Sequence, residues 1–265
     1  MFAKTSILNS KNKERENYLT LDGVDDSLYW TTDAWEGWVA DDQNFTLSFW
    51  LKFPDTDDHI ILGNTVGTGS AQDWQRLFIS TGGMKWYKIV DTGSEDTVHY
   101  LEATAPSVKA DDLAANKWIH CVISWNRGTH IKCFMNGEEC SYGSNHNDTI
   151  DTDISIGNTY FGAYSYVGIG LVGETEFSVH EIAVYNRSLT ASEVSTVYNN
   201  RLPFNHFTWS RTPSCLAWYR FGDGESRRLS GIYYKCDKLT DGIPDSGSFS
   251  SLNGGGGLQE VGEIF

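Results

Sequence analysis

The segment Asn44 to Phe53, NFTLSFWLKF, alternates so regularly that it constrains everything around it. Phe45, Leu47, Phe49 and Leu51 share one face of a period-two ladder, with Trp50 on the other. A strand that is apolar on both faces is central to its sheet and covered on each side. The same period marks Tyr18 to Leu21, Ser27 to Trp30, His59 to Leu62, Arg76 to Ser80, Met84 to Val90 and Thr97 to Glu102. It continues at Trp118 to Trp125, His130 to Met135, Ile154 to Ile156 and Glu176 to Tyr185. Gly63-Asn64, Gly82-Gly83, Asp91-Thr92-Gly93 and Asn136-Gly137 separate these runs and supply the backbone freedom of tight β connections. Many short strands at this spacing predict an all-β fold of two stacked antiparallel sheets, a jelly-roll sandwich.

One segment reads as a helix. Thr190-Ala191-Ser192-Glu193 has the form of a capping box, and Val194, Val197 and Tyr198 follow at helical spacing. Residues 1–16 are polar and aperiodic and are expected to form an arm. Residues 201–214 hold two prolines and break the alternation, which suggests a linker before a C-terminal extension at 215–265. About 50 residues cannot enclose a sandwich core alone, so this extension is expected to dock on its own domain or on a neighbouring subunit.

Two stretches carry a family likeness: NYLTLDGVDDSLYW near the start and GETEFSVHEIAVYNRSLTASEV later on. With FTLSFWLKF after the first and WIHCVISWNRGTHIKCFMNGEE before the second, their order resembles the laminin G-like and pentraxin-like members of the concanavalin A-type jelly rolls. The likeness covers residues 17–200 and matches the strand-to-helix element at Glu181, Ile182, Tyr185, Asn186, Leu189 and Glu193. Residues 215–265 resemble the opening of a second such unit, through LAWYRF and a later Asp-Ser-Gly. The resemblance implies a concanavalin A-like sandwich; function has to be argued from sites, because one fold hosts many.

The glucanase branch of that superfamily places carboxylates in Glu-x-Asp-x-x-Glu on one strand, with a retaining pair about 5 Å apart. Here Glu174-Thr175-Glu176 comes nearest but runs on to Glu181 without the central Asp. Glu181 is therefore expected to serve turn and loop hydrogen bonds, and no catalytic residue is assigned. No G-x-S-x-G, P-loop or dinucleotide fingerprint occurs. Relatives implied by the resemblance often hold calcium at the rim, so calcium is the candidate cofactor. Asp22, Asp25 and Asp26, and Asp148, Asp151 and Asp153, are the oxygen donors at hand, though Asp also stabilises turns by itself.

Aromatic residues bear on sugar recognition, since exposed ring faces stack on pyranose C–H faces. Trp50, Trp118 and Trp125 read as core. Trp74 lies in a polar AQDWQR segment that reads as a loop, and Trp86 and Tyr87 point to opposite faces of one strand, so one of them is open to solvent. Trp74, Gln75, Arg76, Trp86 and Tyr87 are the candidate ligand-binding residues, suited to a glycan or a protein surface.

The net charge of −15 disfavours nucleic acid, whose affinity depends on clustered Lys and Arg. No apolar run is long enough to span a bilayer. The N-terminus lacks a secretory h-region, so export by that route is expected only if a signal was removed upstream. Five cysteines without a CxxC pair read as mostly reduced thiols. A two-residue turn at Arg127-Gly128 sets Val122 opposite Cys133 and turns Cys121 away, excluding a bridge between them; a loop one residue different reverses that.

These features together suggest a non-enzymatic structural or adhesive component of a virus particle, such as a phage decoration, fibre or spike protein. Its partners would be other virion proteins or further copies of itself, and surface glycans. The alternatives are a secreted calcium-dependent lectin in the extracellular space and a glycoside hydrolase.

Overall fold

A computed structural model describes residues 18–24, 27–30, 44–68, 71–91, 96–107, 112–126, 130–143, 159–166, 170–199, 204, 206, 215–219, 232–235 and 259–260. The N-terminal arm lies outside these residues, as do the predicted strand at Ile154 to Ile156 and the aspartates at 25, 26, 148, 151 and 153. Within them lie two large antiparallel sheets and one short helix.

The first sheet runs in the order β1 (Leu19–Asp22), β15 (Glu176–Tyr185), β3 (Phe45–Lys52), β8 (Trp118–Asn126), β9 (His130–Met135) and β10 (Glu138–Glu139), with β16 (Cys215–Tyr219) also paired to β15. The second runs β11 (Ser141–Tyr142), β7 (Asp96–Thr104), β6 (Gly83–Asp91), β5 (Ala71–Ser80), β4 (His59–Thr68), β12 (Thr159–Phe161), β2 (Ser27–Trp30), β17 (Ile232–Lys235) and β18 (Gln259–Glu260). A separate hairpin joins β13 (Tyr164–Tyr166) to β14 (Gly170–Val172).

The alternation of β3 decides the core. Phe45, Leu47, Phe49 and Leu51 face the second sheet and pack with Leu77, Trp86, Leu101, Ile123, Phe161 and Phe177, all nearly inaccessible. Each such side chain contributes about 1.5–3 kcal/mol relative to exposure. The opposite face of β3 is covered too. Val122, Phe134, Ala183 and Tyr185 form a second apolar cluster with Leu189, Val194 and Val197 around helix α1 (Ala191–Tyr198) and with Cys215 and Trp218 of β16. Tyr185 is hydrogen-bonded through its hydroxyl to Nδ1 of buried His206, and Phe204 packs on the same cluster.

Helix α1 starts as its sequence dictates. Thr190 Oγ1 accepts from the Glu193 amide at 3.4 Å, and Glu193 Oε2 accepts from the Thr190 amide at 2.9 Å and from Arg187 Nη1 at 2.9 Å. It ends at Asn199 in the left-handed conformation, φ 48°.

Three sequence expectations are corrected. Gly63-Asn64 does not separate strands: β4 runs through it to Thr68. Gly63 is there for close approach, because a Cβ on it would lie 2.4 Å from Cβ of Tyr164. Trp74 is not in a loop but in β5, opposite Thr65 and Ile89. The β8–β9 register sets Ile123 opposite Cys133 and Cys121 opposite Met135, so the connection is one residue longer than a two-residue turn and both cysteines enter one core. Cys121, Cys133, Cys140 and Cys215 are nonetheless buried and unbridged.

Candidate functional site

A two-residue turn at Thr81-Gly82 joins β5 to β6 and fixes their register, with Ser80 opposite Gly83, Phe78 opposite Lys85 and Arg76 opposite Tyr87. Across the next pair Lys85 meets Glu102 and Tyr87 meets Tyr100. Because side chains alternate, Leu77, Ile79, Met84, Trp86 and Leu101 enter the core and the other set faces outward. The outer face of the second sheet thus carries two rows across three strands: Arg76, Tyr87, Tyr100 and Phe78, Lys85, Glu102.

The β5 and β6 members of these rows, with Asp58, line a cavity of about 270 Å³: Asp58, Arg76, Phe78, Lys85 and Tyr87. Phe78 and Tyr87 stand perpendicular, at 88° with centroids 5.7 Å apart, and Tyr87 leans on Tyr100 at 4.7 Å. Both geometries are favoured for aromatic pairs. Arg76 lies over the Tyr164 ring, 3.7 Å from its centroid. At the opposite margin Lys85 Nζ and Asp58 Oδ2 are 2.6 Å apart. That hydrogen bond, with the fields of Asp58 and Glu102, raises the Lys85 pKa despite some desolvation. The Tyr100 hydroxyl is likewise pushed up, by burial first and then by its hydrogen bonds with Glu102 and Tyr87. Aromatic walls with a few placed polar groups are what small-ligand sites consist of.

Of the sequence candidates, Arg76 and Tyr87 come together here as cross-strand neighbours. Gln75 and Trp86 do not: both are buried on the inner face, Trp86 against Trp125 at 6.2 Å. Trp74 is placed by its strand register alone. Asp58, Phe78, Lys85, Tyr100 and Tyr164 were not singled out from sequence. The alternation around the Gly82 turn marks Phe78 and Lys85 as outward partners of Arg76 and Tyr87; Tyr164 and Asp58 arrive from elsewhere in the chain and leave no such signal.

The other candidate chemistries resolve differently. Asp22 Oδ1 accepts from the Val24 amide at 2.9 Å, the turn role expected of it. Among the described residues no group of three or more His, Cys, Asp and Glu could hold a metal ion, and no helix is long and apolar enough to cross a membrane. Glu176 is exposed and Glu174 half-buried, whereas Glu181 is 2 % exposed. Glu181 sits at a register shift between His180 and Ala183 with φ 50°, a bulge that turns it inward beside His180, whose Nδ1 is 3.9 Å from its Oε2. A carboxylate so enclosed cannot meet a glycosidic bond.

A model of the concanavalin A-like lectin/glucanases superfamily matches residues 22–195. No curated protein sequence matches the chain. Among solved structures, the chain is similar to the native heptameric SAP-like pentraxin from Limulus polyphemus, with 14% identity over 83% of this chain and 95% of that one, TM-score 0.45. It is also similar to the receptor binding domain of botulinum neurotoxin mosaic serotype C/D, with 16% identity over 70% of this chain and 42% of that one, TM-score 0.45. The botulinum neurotoxin serotype D binding domain gives 17% identity over 69% and 42%, TM-score 0.45. The chain spans under half the length of either toxin domain.

Proposed function

As this chain belongs to the concanavalin A-like lectin/glucanases superfamily, we propose that it is a non-enzymatic recognition domain that binds carbohydrate on the outer face of its second sheet. The observation that carries this reading is the juxtaposition of Phe78, Tyr87 and Tyr100 with the Lys85–Asp58 pair and Arg76. Ring faces supply stacking area for pyranose C–H groups, and the charged groups at the margin exchange hydrogen bonds with hydroxyls. A two-carboxylate glycosidase mechanism finds little support in the cavity, where Asp58 is the one lining carboxylate among the described residues and is paired with Lys85.

The setting we propose is an attachment component of a virus particle assembled in a reducing compartment. The buried, unbridged cysteines at 121, 133, 140 and 215 and the polar arm at 1–16 support it. Mass spectrometry of purified particles tests that setting, and absence of the chain from them refutes it.

The binding reading is tested on a glycan array with the full chain and with Tyr87→Ala. Loss of one stacking ring is expected to weaken binding about tenfold or more, equivalent to about 1.4 kcal/mol. Retention by the variant of the same glycans at the same strength would overturn the assignment of the site.

A further inference from the structure

Resting on the carbohydrate reading of the same cavity, we infer that its ligand is an uncharged terminal sugar held through two adjacent hydroxyls by Asp58 and Lys85, and not an acidic sugar. The charges present point that way. Two cations, Arg76 and Lys85, stand at the cavity with two carboxylates, Asp58 and Glu102, and Lys85 has one carboxylate at 2.6 Å and the other directly across the ladder. Little positive field is left for an anion, and the chain's net charge of −15 opposes its approach.

The Asp58–Lys85 pair nevertheless suits a diol. A carboxylate only accepts and an ammonium only donates. Two neighbouring hydroxyls satisfy both, one donating to Asp58 and the oxygen of the other accepting from Lys85. The two side chains are 37% and 35% exposed, so their remaining lone pairs and protons open toward the cavity and solvent. An acidic sugar placed there would set its carboxylate beside Asp58, an unfavourable like-charge contact.

Ring geometry sets the terminal position. Phe78 and Tyr87 meet at 88°, so when one lies under a sugar face the other meets its edge. That is a corner, suited to a single ring entering end-on, whereas a polysaccharide laid along a sheet needs coplanar platforms. The Arg76–Tyr164 pair and the Lys85–Asp58 pair close the two margins.

The experiment is saturation-transfer NMR and calorimetry on the full chain with methyl galactoside, methyl glucoside and methyl mannoside against N-acetylneuraminic acid and glucuronic acid, repeated with Asp58→Asn, Lys85→Gln and Tyr87→Ala. We expect at least one neutral glycoside to bind at least tenfold more tightly than either acid. Asp58→Asn and Lys85→Gln should each weaken it at least fivefold with the melting temperature unchanged. Equal or tighter binding of an acid that Tyr87→Ala abolishes overturns this inference and leaves the carbohydrate reading standing. So does neutral-sugar binding indifferent to both Asp58→Asn and Lys85→Gln. No binding of any sugar, or binding indifferent to Tyr87→Ala, overturns the carbohydrate reading of the cavity and this inference with it.

Discussion

Glu193 ties the strand-to-helix element to the sandwich, and its removal has a calculable effect. Its carboxylate accepts from the Thr190 amide, from Thr190 Oγ1 and from Arg187 Nη1, at 2.9, 3.1 and 2.9 Å. Desolvation alone would raise its pKa, but the Arg187 and Thr190 hydrogen bonds prevail and hold it at about 2 instead of the ordinary 4.5. At about 1.4 kcal/mol per pH unit this amounts to no more than about 3–4 kcal/mol. Counted from contacts, an N-terminal cap contributes about 1 kcal/mol and a charge-assisted hydrogen bond about 1.5–3 kcal/mol. Glu193→Ala should therefore cost about 2–3 kcal/mol. With a urea slope of about 2 kcal/mol/M, the unfolding midpoint falls by about 1–1.5 M. Tryptophan fluorescence follows it, because Trp50 stacks on Tyr198 at 5.8 Å at the end of the same helix. The pH dependence has a definite sign. A carboxyl with a depressed pKa contributes fully above about 4.5, and its contribution is lost as pH falls toward 2. The wild-type and Glu193→Ala midpoints should thus converge between pH 4.5 and 2. A variant within about 0.5 kcal/mol of wild type at pH 7, on the order of a neutral surface change, would deny Glu193 this anchoring role, as would curves that stay parallel through that acid window.

Gly83→Ala should lower the melting temperature by about 4–8 °C, equivalent to about 2 kcal/mol, because its Cβ would lie 2.1 Å from the Ala103 carbonyl oxygen and its φ is +148°; an unchanged scan would contradict the β6–β7 register. Phe49→Ala, which empties the centre of the core against Phe161 at 5.4 Å, should cost about 3–5 kcal/mol in urea unfolding, and a cost below 1 kcal/mol would deny that β3 faces the second sheet. Cys121, Cys133 and Cys140 should resist a thiol reagent in the native protein at pH 8 and react on unfolding, since burial raises all three, Cys140 to about 12; rapid native modification of these three would count against the core.

What the sequence discloses follows from how local each cause is. Two-faced apolarity of FTLSFWLKF specifies a central, doubly covered strand because period-two side chains leave no other arrangement. The capping box is equally local, confined to Thr190 and Glu193. Gly63 misleads because a glycine read as a turn is there to admit Tyr164, a contact from a hundred residues along the chain. Cys121 and Cys133 turn on the length of one connection, and a single residue moves a side chain across the sheet. Short strands such as β10 and β13 carry too few residues to display a period. At the candidate site, Arg76 and Tyr87 are found by their polar and aromatic surroundings, but Gln75 and Trp86 share those surroundings and point inward. Only the register, anchored at Thr81-Gly82, separates the two sets, and Asp58 and Tyr164 join through tertiary packing.

Chemical-shift mapping with a bound neutral glycoside would locate the binding face on the sandwich. Amides of Arg76, Phe78, Lys85, Tyr87 and Tyr100 should shift together, in one cluster across β5, β6 and β7. Shifts gathered instead on the first sheet or around helix α1, with those five unmoved, would contradict its placement on the second sheet.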